Sequence, residues 1–489
     1  MSYARVGSTK PPCRKSQFIC VVAVVLGIGI GEVGWFPLTE LARAEVPVLP
    51  PVQRGQTPSQ EPKDISARLE QVEGELEKLK TEQQRERLAR EKYVAEQLAK
   101  EKKWETKFDL LRRDPRARLE GTGTQHGWIH LKDFESDVRF GGFFQMNLIH
   151  NFQDTTNKLG KFQTGKFPVP TEKTTSTEFD VRTTRLVLET RTPTRVGDYS
   201  TFVSIDFFAN NSPGTVEPRL RQGYLTGVGV FTGTAFLVGQ AFSTFRDTQA
   251  FPEMFDLEGP NGWSRLFNGM FRSSIHLDQA NHWIATVAIE DPDTDVSNGN
   301  AQTELPDLVT RMDYNGGLVH VMAAFVGRQL KATDTTGSGT DRTFAYGFNV
   351  SGKVGIPNSR DSFKFQGYYG SGIGRYINDL DAVGGQDAVY DDTKRQLTRL
   401  ESYGGFGGYQ HWWTDRLRST LVGGYVKVNN LAIQAGNAFS DSIYALGNLI
   451  YSPFKHYDIG LEYSWGQRRN KDDQSGHANR LMLAFKWHY

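Results

Sequence analysis

The last ten residues read Arg480-Leu481-Met482-Leu483-Ala484-Phe485-Lys486-Trp487-His488-Tyr489. In an extended chain successive side chains point to opposite sides. Leu481, Leu483, Phe485, Trp487 and Tyr489 therefore share one face, and Arg480, Met482, Ala484, Lys486 and His488 share the other. One face is apolar and the other is more polar, which is the period-two pattern of a half-buried strand. The same rhythm runs through Val138, Phe140, Gly142, Phe144, Met146 and Leu148, interleaved with Arg139, Gln145 and Asn147. It returns at Tyr199, Thr201, Val203, Ile205 and Phe207 against Ser204 and Asp206, and at Ile443, Ala445, Gly447, Leu449 and Tyr451 against Tyr444 and Asn448.

Strands of this kind build either a soluble sandwich or a membrane barrel. Their length favours the barrel, as do aromatic residues near strand ends: Tyr368-Tyr369, Trp412-Trp413, Trp465 and Trp487-His488-Tyr489. A membrane hairpin of two strands, a short turn and a longer loop needs roughly 44 residues. Residues 137–489 then hold about eight hairpins, or sixteen strands. Tight polar connections at Thr192–Asp198 and Thr414–Arg416 alternate with long ones around residues 155–176 and 376–394. In outer-membrane barrels short turns face the periplasm and long loops face outside. The expected fold is all-β, a transmembrane antiparallel β-barrel of about 16 strands over residues 137–489.

Composition agrees. The chain has 489 residues, 38% of them hydrophobic, and a mean hydropathy of −0.49, which excludes a helical membrane protein. Aromatic residues make up 12%, and there are 50 glycines, a mixture suited to a large sheet. With 57 basic and 56 acidic residues the net charge is +1, giving no reason to expect nucleic acid as a partner.

Upstream of the barrel the pattern changes. Residues 1–44 have the layout of a signal peptide: Arg5, Lys10, Arg14 and Lys15, an apolar run from Phe18 to Phe36, and Ala42-Arg43-Ala44 as the cleavage region. A membrane anchor is the rival reading of that run. Both cysteines, Cys13 and Cys20, fall inside this segment, so the mature chain would carry no thiol, disulfide or thiolate metal site. Residues 45–63 include Val46-Pro47-Val48-Leu49-Pro50-Pro51 and read as a flexible linker. Residues 64–113 read as a helix with Ile65, Leu69, Val72, Leu76 and Leu79 on a coiled-coil seam. The stripe then shifts to Leu88, Ala95 and Leu98, as at a stutter. A lone charged helix is the alternative to self-association. Residues 114–136, with Asp114-Pro115 and Gly121-Thr122-Gly123, form a joint.

Several stretches carry a further likeness: Gly239-Gln240-Ala241-Phe242-Ser243-Thr244-Phe245-Arg246-Asp247, Pro252-Glu253, Glu258-Gly259-Pro260-Asn261-Gly262, and Gly370-Ser371-Gly372-Ile373-Gly374-Arg375-Tyr376. In these, and in the order of its parts, the chain resembles the DcaP-like trimeric porins of the Gram-negative outer membrane. The resemblance implies a periplasmic coil ahead of a sixteen-stranded barrel, assembly as a homotrimer embedded in outer-membrane lipid, and passage of small negatively charged solutes such as dicarboxylates and aromatic acids. A general channel and a phosphate- or sugar-selective one stay open as alternatives. An outer-membrane enzyme is a third, but no spacing singles out a Ser/His/Asp set, and no cofactor motif is present.

The chemistry of a pore is the free-energy profile of the solute that crosses it. By resemblance to porins the third long connection, Phe242 to Gly262, folds inward as a constriction. It carries Arg246, Asp247, Glu253, Asp256 and Glu258 and is net acidic, so the opposite wall should be basic. With Thr184, Leu186 and Leu188 facing lipid, Arg185 and Glu189 turn inward. With Leu220 and Tyr224 facing out, Arg219 and Arg221 turn inward. With Phe271, Ser273, Ile275 and Leu277 outside, Arg272 points to the lumen. A lipid-facing arginine at mid-depth costs roughly 2–4 kcal/mol, which supports these assignments. Arg265 and Arg182 would sit nearer a rim. The expected pore residues are thus Arg185, Arg219, Arg221, Arg246 and Arg272, with Glu189, Asp206, Glu253 and Arg265 secondary. The alternative role for the arginines is bracing the wall through ion pairs. His276, His282 and His320 show no metal-ligand spacing, and no metal is expected.

Overall fold

A computed structural model describes residues 128–489 apart from 132–133, 157–159, 195–196, 210–215, 229–233, 281 and 338, together with scattered residues between Glu70 and Lys92. The signal peptide, the linker and the joint up to residue 127 lie outside the described residues. So does most of the proposed coil, whose described members, Leu76 and Leu88 included, are helical and exposed.

Sixteen long strands follow one another around a closed antiparallel barrel. The first four are β1 (Ser136–Asn151), β2 (Arg185–Thr194), β3 (Gly197–Asp206) and β4 (Arg219–Val228). Next come β5 (Thr234–Phe242), β6 (Phe267–His276), β7 (Trp283–Glu290) and β8 (Asp307–Asn315). The longer strands β9 (Val319–Thr333), β10 (Thr340–Gly355), β11 (Ser362–Ser371) and β12 (Glu401–Trp412) continue the wall. It ends with β13 (Leu417–Asn429), β14 (Phe439–Tyr451), β15 (Tyr457–Asn470) and β16 (Ser475–His488). Closure comes from β16 pairing with β1, Leu483 opposite Leu148 and Phe485 opposite Met146. Ser176–Asp180 extends β2 along β1, and Trp128–Leu131 pairs with the start of β1.

The faces are inverted relative to a soluble protein. Phe140, Phe179, Leu421, Phe363, Leu449 and Leu461 point outward and are exposed. Gln145, Asn147, Asn349, Ser351, Gln366, Asn448, Glu462 and Arg480 point inward and are buried. A wall apolar outside and polar inside is stable only against lipid, and its closure leaves no unpaired strand edge. The alternation of Tyr199, Thr201, Val203 and Ile205 against Ser204 and Asp206 is present in the pairing, with Leu188 opposite Val203 and Leu186 opposite Ile205.

Connections at one end are all short turns, whereas those at the other include the long loops. Three of these loops, residues 152–175 (first), 243–266 (third) and 372–400 (sixth), contribute buried residues to the interior. The sixth carries a short helix, α1 (Asn378–Val383). Its Ile373, Tyr376, Ile377 and Leu380 pack with Phe245 of the third loop and with Val309, Met322, Val326 and Val426 of the wall. Phe162 and Phe167 of the first loop pack on Val422, Tyr444 and Leu446. Phe255 of the third loop packs on Ile149, Ile450, Met482 and Ala484. The loops therefore lie chiefly against the wall from β7 to β16, and the inward face of β2 to β6 stays clear of these clusters.

Candidate functional site

The third loop is tied to the strands behind it. Asn349 donates to the Phe245 carbonyl at 2.6 Å, Lys364 to that of Phe251 at 2.7 Å and Gln366 to that of Gly262 at 2.9 Å. The Glu462 carboxylate accepts from the backbone N–H groups of Phe255 and Asp256 at 2.8 and 2.9 Å. Its acidic side chains face the same way. Asp247 is held by His320 at 3.0 Å and by the Ser351 hydroxyl at 2.8 Å. Glu253 accepts from Nη2 and Nε of Arg418, at 2.6 and 2.8 Å. Glu258 is buried with Arg265 and Gln163; burial works to raise its pKa, but Arg265 and Lys161 hold it below the usual carboxylate value. The loop is net acidic as expected, yet Asp247 and Glu253 are spent on the far wall, so the basic wall does not meet them.

Toward the clear wall the loop presents Arg246. Its guanidinium is stacked against Phe242 at 3.3 Å and Trp263 at 3.9 Å, and its Nε and Nη1 have no hydrogen-bond partner. Burial lowers its pKa, and Arg221, Arg265 and Arg185 push in the same direction. Across from it, Asp206 accepts from Arg219 at 2.9 and 2.7 Å and from Arg221 at 2.7 Å. The Nε atoms of Arg185 and Arg221 are buried without partners. Lys161 of the first loop joins this group: burial lowers its pKa, Glu258 raises it, and Arg265 and Arg219 lower it again. Arg185, Arg219, Arg221, Arg246, Arg265 and Lys161 thus share one electrostatic neighbourhood with fewer carboxylates: Asp206 and Glu258 within it, Asp247 acting on Arg246 and Asp381 on Arg265. Such an excess gives a positive field in the lumen.

A β-bulge shapes the site. The pairing of β3 with β4 shifts between Ser204 and Ile205, with Ser204 opposite Gln222 and Ile205 opposite Leu220, leaving Arg221 as the extra residue. This places Arg219 and Arg221 on the same carboxylate. It also reverses the parity beyond: Tyr224 stands opposite Phe202 and stacks on it at 5.1 Å. Tyr224 is therefore on the lumen face and not, as alternation suggests, on the lipid face. One extra residue is enough to flip every side chain that follows.

Residues 129–489 match the family described as DcaP outer membrane protein. The chain belongs to that family. The outer membrane channel DcaP of Acinetobacter baumannii is similar at 22% identity and a TM-score of 0.65, covering 74% of this chain and all 100% of that one. An anion-selective porin from Comamonas acidovorans is similar at 9% identity and a TM-score of 0.50, covering 73% of this chain and 100% of that one. At such identities these likenesses speak for the fold. No curated protein matches the chain. This member of the DcaP family is an outer-membrane β-barrel protein.

The remaining expected residues of this DcaP-family barrel are placed as follows. Arg272 donates to the Thr244 hydroxyl at 2.8 Å, which puts it at the root of the third loop. Glu189 pairs with Arg139 at 2.5 Å on the inward face, away from the Arg246 group. Arg182 is buried on Asp180 where β2 breaks from its extension. His320 holds Asp247, and His282 lies near Asp278 at 3.3 Å. Among the described residues no group of His, Cys, Asp and Glu is arranged to hold a metal ion. Alternation does not single out Lys161, which is brought in by a loop, or Lys486, whose ammonium lies 4.1 Å over the Phe143 ring that Arg185 also faces at 5.2 Å. Lys486 was findable, since it stands on the polar face of the terminal strand.

Proposed function

We propose that the channel conducts small anionic solutes by passive diffusion, with dicarboxylates and aromatic acids as its preferred class. One observation carries this reading: six basic side chains, Arg246 among them, outnumber the carboxylates near them, Asp206, Asp247, Glu258 and Asp381, and guanidinium nitrogens of Arg185, Arg221 and Arg246 are left without partners. An unpartnered buried guanidinium nitrogen is costly, and a passing carboxylate relieves the cost, because its two oxygens match the planar donor fork. Aromatic rings beside the same cations support the aromatic members of the class. Arg221 lies 5.0 Å over Phe267, Arg219 lies 5.7 Å from Phe208, and Arg246 sits between Phe242 and Trp263. Arg185, Arg219, Arg221, Arg246 and Arg272 form the constriction in this reading, with Arg265 beside them. Glu189, Asp206 and Glu253 act as fixed counter-charges.

The protein works as a homotrimer in outer-membrane lipid, after removal of residues 1–44, with residues 64–113 as a periplasmic coil. The test is a planar bilayer under a salt gradient. The reversal potential should show anion preference, and Arg219→Ala with Arg221→Ala should weaken it. Cation preference in the wild-type protein would reject the reading.

A further inference from the structure

At the turn end of the lumen lies a cavity of about 470 Å³ that the Arg246 group does not reach. Trp412 and Arg418 stand opposite each other in the pairing of β12 with β13. Arg418 reaches Glu253 of the third loop and Asp458 at 3.2 Å, so this pair faces the interior. The guanidinium of Arg360, in the turn before β11, lies flat on Trp412 at 3.4 Å from the ring centroid. Stacking occupies a face of the guanidinium and leaves its in-plane N–H donors free for an acceptor. Among the described residues its ion-pair partner is Asp415, at 3.6 Å, whose side chain is 98% exposed. A contact of that kind is screened by water and exchanges readily. Arg416 lines the same cavity and brings a further positive charge. Arg418 is already matched by Glu253 and Asp458, so the unmatched charge belongs to Arg360 and Arg416, with Lys455 at the cavity's edge.

We propose that this cavity is a second binding site, for small organic carboxylates, with Trp412 as the platform, Arg360 and Arg416 as the anion-binding pair, and Arg418 as a positioning residue that ties the site to the third loop. It extends the reading of the pore as an anion path and rests on it for the class of ligand. A solute that passes Arg246 would meet Arg360 and Arg416 before leaving at the turn end. The volume suits a small metabolite, being within the range of roughly 300–1,000 Å³ common for ligand sites.

The test is calorimetric titration of the full-length protein in detergent with succinate. Two classes of site are expected in the wild-type protein. Arg360→Gln with Arg416→Gln should remove one class and keep the other, and Arg221→Gln with Arg246→Gln should do the converse. Should the Arg360/Arg416 variant fold poorly on a heat-modifiability gel, tryptophan emission gives a second measurement. The succinate-dependent change in emission should then fall in Trp412→Phe, whose fold is checked in the same way. Two classes that persist without Arg360 and Arg416, or an emission change that survives in Trp412→Phe, would overturn the proposal. If instead only the Arg221/Arg246 variant is without effect on binding, the constriction reading fails and the turn-end site stands.

Discussion

The guanidinium carbon of Arg246 lies 3.9 Å from the ring centroid of Trp263. With Phe242 at 3.3 Å as well, the cation is fixed by its faces, and only its edge is available to a solute. A unit charge about 7 Å from the ion path in a water-like medium is worth roughly 0.6 kcal/mol, or about threefold in relative permeability. Arg246→Ala should lower the anion-to-cation ratio by that factor, read from the reversal potential. Trp263→Leu keeps the charge but frees it, so the ratio should fall less while open-channel noise rises. An unaltered reversal potential in Arg246→Ala removes Arg246 from the permeation path.

Asp206 separates the two roles open to the arginines. It is buried and bonded to both Arg219 and Arg221. Asp206→Asn removes a carboxylate from the basic neighbourhood, so anion preference should rise by about threefold by the same Coulomb argument. The change also leaves two arginines without their counter-charge, which should destabilise the wall by roughly 1–3 kcal/mol. If these arginines serve only to brace the barrel, thermal stability drops and the reversal potential stays where it was.

How much of this was legible follows from what each residue is forced to do. Lipid on one side and water on the other impose strict alternation, so the faces of β1, β3 and β16 can be read from Phe140, Val203 and Leu483 directly. Parity carries Arg185, Arg219 and Arg272 to the lumen for the same reason. It fails at Tyr224, because a bulge adds one residue without any change in composition. Loops have no period, and the charge of the third loop could be summed but not aimed: Asp247 and Glu253 turn toward His320 and Arg418. The inward packing of the first and sixth loops leaves a fainter trace, in apolar residues where polar loops have little use for them. Phe162, Phe167, Tyr376, Ile377 and Leu380 are such residues, and all are buried.

Gly460 keeps room for the third loop. A Cβ built there would stand 1.9 Å from the Phe255 ring, which is itself packed among Ile149, Ile450, Met482 and Ala484. Gly460→Ala must push that ring off its seat on β15, at a cost of roughly 1–3 kcal/mol. The barrel should survive, as judged by heat-modifiable migration, while single-channel conductance changes and residues 250–258 become easier to cleave. Cleavage at the wild-type rate would show that Phe255 does not anchor the loop.

The same anchor should respond to pH. Burial, with Glu462 adding to it, pushes the Asp256 carboxyl up from 3.8 to about 7, against the pull of Arg480. A raised folded-state value means that the folded loop holds this proton more tightly than the open one. Its stabilisation is complete below about pH 4 and is lost as pH climbs through 7. Glu258 moves oppositely, held low by Arg265 and Lys161 despite its burial; it releases stability only on acidification, below the window in question. Asp379, raised to about 6 by burial, acts in the same sense as Asp256 on the sixth loop. Between pH 5.5 and 8 the third loop should therefore lose on the order of 2 kcal/mol of protection. Hydrogen exchange over residues 250–258, corrected for the intrinsic pH dependence, reads this directly. Asp256→Asn is neutral at every pH and should flatten most of the slope, leaving the part due to Asp379 and to Asp381, which burial raises likewise to about 6. A slope as steep in Asp256→Asn as in the wild-type protein would place the titrating group elsewhere.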